Sequence, residues 1–247
     1  MAIRLDAVGD TLDLTTALPT NASFTAMCDA LVISDLGAPS IQPLYMALNA
    51  ALTHGYYLLW EGGTNGLMEM VTLAGGVVVD SQTFASRPVE GAPFCFYLKC
   101  SGTGANQFEC GWRYSGLPWV TAQADLTGAV DQVTTVYLGA VAATYYTNHR
   151  KQNLRVWTRP LRAQELLKES ESASPLTLNG LHSYFPLSHA GDFYDRGPMR
   201  RVLTRAGTFG TEYMDYKRAP KVLKHPPVPY VAATPPATMY LMGQACL

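Results

Sequence analysis

Residues 153–171 read NLRVWTRPLRAQELLKESE, and the order of these side chains decides the architecture. Leu154 and Val156 alternate with Arg155 and Thr158, the period-two pattern of a half-buried strand. Pro160 stops that strand and suits the first turn of a helix. Beyond it Leu161, Leu166 and Leu167 fall near helical spacing, whereas Arg162, Gln164, Glu165, Lys168 and Glu169 are expected to face water. One strand thus runs directly into one short helix.

Outward from this point the chain reads as many short strands. Tyr56–Trp60, Leu67–Leu73, Gly76–Val79, Phe94–Lys99, Gln107–Tyr114 and Val133–Leu138 carry strand signals, separated by the turn clusters EGGTNG (61–66) and SGTGAN (101–106). Such a pattern predicts an all-β antiparallel sandwich. One segment breaks the rhythm: Ile41–Thr53, with Leu44, Tyr45, Leu48, Ala51 and Leu52 near helical period and Pro43 in the first turn, predicts an inserted short helix.

The order Arg155, Val156, Trp157, Thr158, Arg159, Pro160, Leu161 and a Glu-bearing short helix resembles the closing element of LamG-like domains, of the concanavalin A-like superfamily. Ala2–Leu14 is similar to that family's opening strands, Asn21–Ile33 to the next strand and Val133–Gly139 to the strand before the closing element. The resemblance covers residues 2–172 and implies a jelly-roll sandwich in which Trp157 is buried. Gly180–Gly197, GLHSYFPLSHAGDFYDRG, resembles a stretch that opens such units; following the closing helix, it is expected as a return strand, with Leu203–Phe209 pairing beside it. The organisation expected is a sandwich over 1–215, with its core in 2–172 and return strands in 178–210. An extended arm follows over 216–247, where prolines interleave with apolar residues. Pro226, Pro227, Tyr230, Tyr240 and Leu241 are its candidate assembly residues, and the arm packs either along its own sandwich or over a neighbouring copy.

Hydrophobic residues make up 48% of the chain and charged ones 15%, which excludes a disordered chain. Asp6 and Asp10 interrupt any apolar stretch at the N-terminus and no run long enough to span a membrane exists, so neither a secretory signal nor a membrane anchor is expected. The five cysteines lack metal-ligand spacing and read as buried thiols, a Cys100–Cys110 bridge being the alternative. Net charge of −1 hides a split: residues 1–148 hold 4 Lys and Arg against 12 Asp and Glu, and residues 149–247 hold 14 against 7. The basic half is expected to dock on the acidic half of its own or another copy. Arg200, Arg201 and Arg205 sit in no nucleic-acid motif, and no specific nucleic-acid partner is expected.

Catalytic patterns are missing. Glu61, Glu69 and Glu109 have no acidic neighbour two residues on, as a strand-borne glycosidase pair would require, and none of the five histidines lies in a nucleophile motif. Calcium is implied by the resemblance alone, and Asp125 and Asp131 do not match such a site; no other cofactor is expected. Sugar binding calls for an aromatic ring with polar partners, which singles out Trp60 with Glu61, Trp112 with Tyr114, and Trp119. Asn153, Arg155 and Trp157 are also similar to the Asn-x-Arg of galectins, although His149 is out of place for it. A non-catalytic binding or assembly protein is expected. The resemblance implies a tailed-phage virion component, made in the host cytoplasm, that meets other virion proteins or copies of itself as a homo-oligomer or within a larger assembly. The alternative is a lectin-like module for a host surface polysaccharide.

Overall fold

The structure is a computed structural model that describes residues 2–5, 11–15, 23–33, 41–62, 66–102, 106–125, 133–139, 148–189, 192–206 and 210–212. Two antiparallel sheets face each other. The first has the order β10 (Val120–Ala124), β9 (Phe108–Arg113), β8 (Phe94–Cys100), β3 (Phe24–Val32), β12 (His149–Trp157), β1 (Ala2–Leu5) and β15 (Gly210–Glu212). The second runs β14 (Thr204–Ala206), β2 (Thr11–Thr15), β11 (Thr135–Gly139), β4 (Ile41–Leu48), β5 (Gly55–Glu61), β6 (Met68–Ala74) and β7 (Val77–Thr83). The all-β sandwich is thus present, and α1 (Ala163–Ser170) is the one α-helix among the described residues.

Strand β12 serves two neighbours on one edge. Its first half pairs with β1, Ile3 opposite Lys151, and its second half with β13 (Leu181–Phe185), Leu154 opposite Phe185. A bulge between Gln152 and Arg155 separates the halves; Asn153 adopts φ 54° there, which Asn tolerates better than most residues, and its N–H donates to the Pro186 carbonyl at 2.9 Å. The expected return strand is therefore β13. The part of Leu203–Phe209 that is described does not lie beside it: β14 pairs with β2 in the opposite sheet, Thr204 against Asp13, and residues 207–209 lie outside the described residues.

Between the sheets, Phe24 stacks on Tyr56 at 5.4 Å, and Tyr56 meets the edge of Phe108 at 4.9 Å. Phe94, Phe96, Leu98, Cys100, Leu154 and Val156 extend the core. Cys28, Cys95, Cys100 and Cys110 are buried thiols, so Cys100 and Cys110 are not bridged; Cys246 lies outside the described residues.

The helix expected over Ile41–Thr53 is instead β4 followed by a turn. Burial on both faces produces the misleading pattern. Leu44, Tyr45 and Ala47 belong to the inter-sheet core, Met46 and Leu48 to an apolar cluster on the outer face, and a bulge between Pro43 and Tyr45 shifts the alternation. Pro43 is accommodated because the ladder to β11 involves only Met46, Ala47 and Leu48.

That bulge also receives a buried cation. Lys151, fully buried, reaches from β12 across the core and donates Nζ to the Leu44 carbonyl, lying 5.1 Å from the Phe96 ring centroid. His149 Nε2 donates to the adjacent Pro43 carbonyl at 3.0 Å. Burial pushes the Lys151 ammonium down to about 7, with Cys28 acting in the opposite sense. The folded chain has released this proton at a pH where the unfolded chain still holds it, so burying Lys151 costs stability most below pH about 7 and less as pH rises toward 10.5. Relative to Lys151→Met, wild-type stability is expected to rise by about 1.4 kcal/mol per pH unit across that window. Denaturant melts of both proteins at several pH values check this, and a pH-independent difference would contradict it.

Candidate functional site

The segment following β12 builds a second layer on the outer face of the first sheet. Trp157, Met27, Cys95 and Tyr97 point outward there and pack against Leu161 and Leu166, which is why β3 is buried on both faces. The fork of Arg159 grips Glu165 at 2.9 and 2.6 Å, and Glu165 Oε2 accepts the Arg162 N–H at 2.8 Å, fixing the start of α1. Two expectations fail on this helix. Leu167 is 46% exposed, and Glu169, expected in water, is fully buried against Arg155, its Oε2 2.9 Å from Nη1. The second strand face is therefore a core face, with Arg155 in its centre.

The C-terminal end of α1 reaches the hairpin between β9 and β10. Glu171 accepts Ser115 Oγ at 2.6 Å, the Gly116 N–H at 3.0 Å and Arg113 Nη2 at 2.9 Å. Gly116 takes φ 78° in a turn closed by Leu117 N–H donating to the Tyr114 carbonyl, a conformation that favours glycine. Arg113, only 3% exposed, also donates to Ser170 Oγ at 2.8 Å and lies 5.5 Å from the Trp119 ring centroid. Trp119 stands edge-on to Tyr97 at 4.7 Å and remains half-buried.

Register then arranges the outer face in rows. Thr121 lies opposite Gly111, which lies opposite Tyr97; Gln123 lies opposite Glu109, which lies opposite Lys99. Glu109 accepts Lys99 Nζ at 2.8 Å, the Tyr97 hydroxyl, and Gln123 Nε2 at 3.3 Å. Burial alone would raise its pKa, but these donors, Lys99 foremost, hold the carboxyl below its ordinary range. It is an acceptor rather than a proton source. Burial and the Glu109 charge push the Tyr97 hydroxyl far up, which keeps it a donor. One row of half-buried Trp119 and exposed Thr121 and Gln123 thus ends opposite a fixed carboxylate and ammonium.

The sequence-selected residues separate accordingly. Trp60 is 1% exposed, under the Arg87 guanidinium at 4.3 Å, and Trp112 is 5% exposed with Nε1 donating to the Ser86 carbonyl at 3.1 Å, so neither presents a ring to a ligand. Glu61 is half-buried at the β5–β6 end, where its carbonyl accepts Arg87. Tyr114 is half-buried against Trp112 at 5.3 Å. Trp119 alone of the set stands on the outer-face row. The galectin-like trio is closed off: Asn153, Arg155 and Trp157 all lie buried, Trp157 Nε1 donating to the Thr177 carbonyl at 2.7 Å. Sequence reasoning missed Arg113, Thr121, Gln123 and the roles of Glu109 and Lys99; the five-residue β10, VTAQA, gives only a weak strand signal. Pro226, Pro227, Tyr230, Tyr240, Leu241 and Asp131 lie outside the described residues. Among the described residues no group of three or more His, Cys, Asp or Glu side chains is placed to hold a metal ion, and no helix is long and apolar enough to cross a membrane.

No family model matches the sequence, and no curated protein matches it in sequence. Solved structures do match in fold. A heptameric SAP-like pentraxin from Limulus polyphemus aligns over 86% of this chain and 96% of its own, with TM-score 0.56 and 11% identity. A putative carbohydrate binding protein from Bacteroides ovatus aligns over 85% of this chain and 60% of its own, with TM-score 0.58 and 15% identity. Full-length tailspike protein 2 of an Escherichia coli O157:H7 bacteriophage aligns over 72% of this chain and 25% of its own, with TM-score 0.55 and 12% identity. The chain thus spans three fifths of the carbohydrate binding protein and a quarter of the tailspike. The likeness is one of fold, a concanavalin-like jelly roll.

Gly111 is the position where the rows are most easily disturbed. A Cβ there would lie 2.8 Å from Tyr97 Cζ, and the Tyr97 ring is held by Trp119 and Glu109. Gly111→Ala is expected to cost about 1–3 kcal/mol and to change the near-ultraviolet circular dichroism of Trp119. An unchanged melting transition and spectrum would show that the platform is looser than these contacts imply.

Proposed function

We propose that this chain is a non-catalytic glycan-binding module whose ligand lies on the outer face of β8, β9 and β10. The observation that carries the reading is Trp119: an aromatic ring clamped by Arg113 and Tyr97, still half open to solvent, in line with exposed Thr121 and Gln123, the last of which lies opposite the Glu109–Lys99 pair. A ring for the apolar face of a pyranose, flanked by amide, hydroxyl and carboxylate groups, is the chemistry that holds a sugar without cleaving it. The low proton affinity of Glu109, set by its donors, supports binding over acid catalysis. The fold shared with a putative carbohydrate binding protein supports the same reading.

Titration calorimetry with bacterial surface polysaccharides tests it. Trp119→Ala is expected to weaken binding about tenfold or more, because ring stacking contributes about 1–2 kcal/mol, and to lower the melting transition only modestly through the lost contacts with Tyr97 and Arg113. Equal affinity in the variant, or no wild-type binding to any polysaccharide, would remove the glycan reading.

A second reading, that the chain is a phage virion component, is favoured by the fold it shares with part of a tailspike and by its basic, proline-rich C-terminal segment. Mass spectrometry of purified particles from a producing culture tests this: the chain is expected in stoichiometric amount, and its absence from the particles would contradict the reading.

A further inference from the structure

Strand β7 ends its sheet, and among the described residues no strand pairs with its outer edge. Its first three residues, Val77, Val78 and Val79, are 68, 51 and 43% exposed, an unusual amount of β-branched apolar surface for a sheet edge. Natural edges are guarded by lysine or proline. The sequence VVVDSQT contains neither, and its one irregularity is a bulge at Val79, which leaves that residue without a cross-strand partner on β6. The acid on the outward face beside this edge is Glu69, whose Oε1 accepts Ser81 Oγ, whereas Asp80 lies on the opposite face and accepts the Asp125 N–H at 2.8 Å.

The C-terminal segment has the complementary character in its sequence. From residue 213 onward it holds Lys217, Arg218, Lys221 and Lys224 against the single acid Asp215. Its prolines also keep a parity. In PPVPYVAATPP, residues 226–236, the internal prolines Pro227, Pro229 and Pro235 are all odd-numbered, and Pro226 and Pro236 flank the run. In an extended strand the N–H and C=O of one residue point to the same edge, and successive residues alternate. Val228, Tyr230, Ala232 and Thr234 therefore offer a complete set of donors and acceptors to one side, while the other side is interrupted by proline. A strand so built pairs on one side only and stops the sheet from growing further.

From these two features we infer that residues 228–234 of one copy add as a terminal strand to the β7 edge of a second copy. Apolar side chains meet Val77–Val79, the basic lead-in at 217–224 faces Glu69, and backbone pairing supplies the affinity. The body and arm of each copy are thus complementary, the arm carrying four basic residues and one acid of the basic C-terminal part. The inference does not rest on the glycan reading: the end of β10 touches β7 through the Asp125 N–H to Asp80 at 2.8 Å, but glycan affinity is read by calorimetry and arm pairing by sedimentation, so either can fail alone.

A matched proline pair in the full-length chain tests it. Ala232→Pro removes a donor that faces β7, whereas Ala233→Pro places proline on the side already interrupted. Sedimentation velocity is expected to show wild type and Ala233→Pro as an associated species, and Ala232→Pro and the edge-blocking Val78→Lys as monomers. Hydrogen exchange on the same samples is expected to show lower protection of β7 amides in Ala232→Pro than in Ala233→Pro. A monomeric wild type, or identical behaviour of the two proline variants, would overturn the inference. Loss of β7 protection with no change in sedimentation would also overturn it, because the arm would then occupy the edge of its own copy.

Discussion

The architecture depends on a cation that has no access to water. Arg155 lies fully buried between the first sheet and the segment that covers it, and the two Nη atoms of its guanidinium are held by parts of the chain far apart in sequence, while Nε has no partner among the described residues. Nη1 donates to Glu169 Oε2 and to the Glu169 carbonyl at 2.6 Å, Nη2 donates to the Ser172 carbonyl at 2.8 Å, and the Asp29 carboxylate on β3 lies 4.0 Å away. Glu169 is held in turn, its Oε1 accepting the Leu176 and Thr177 N–H groups. Asn153 on the β12 bulge donates to Asp29 Oδ2 at 2.8 Å. A buried charge is costly unless every partner is in place. This cluster therefore tolerates one geometry: β3 beside β12, and α1 laid across both.

From that constraint the candidate site follows. Glu169 and Glu171 sit two residues apart at the end of the same short helix. The first is fixed by Arg155, and the second closes on Arg113, Ser115 and Gly116 in the β9–β10 hairpin. The position of Trp119 is thereby tied to the central strand through one turn of helix. An eight-residue helix has little stability in isolation. Here its anchors are charge-assisted hydrogen bonds at both ends and Leu161 and Leu166 against Trp157 below. The result is a platform on paired strands, braced by the helix that crosses behind it.

Much of this was legible in sequence, for definite reasons. Strands bounded by Gly-rich turns, such as β5, β6, β8 and β9, fell where alternation and turn chemistry placed them, and the step from Trp157 through Pro160 to a helix was read correctly. The segment at β4 misled because burial on both faces erases alternation, and a bulge at Leu44 mimics helical spacing. Trp112 shares the parity of Phe108 and Cys110 and points into the core, whereas Trp119 lies just before β10 on the outer row. Glu169 was invisible as a buried group: its partner lies fourteen residues earlier, a separation with no local signature. An arginine in the middle of a strand otherwise made for burial was the available clue.

The central claim is that Arg155 and Glu169 act as one unit that pins the helix to the sheet. A double-mutant cycle on unfolding free energy, built from Arg155→Met, Glu169→Leu and the double variant, measures this most directly. Arg155→Met leaves Glu169 and Asp29 without their cation, and Glu169→Leu leaves Arg155 with only Asp29, 4.0 Å away, of its two carboxylate partners; each is expected to cost about 3–5 kcal/mol, and the double variant at least about 2 kcal/mol less than their sum. Additive losses would mean that the two residues stabilise the fold independently, and that the helix is held by packing alone.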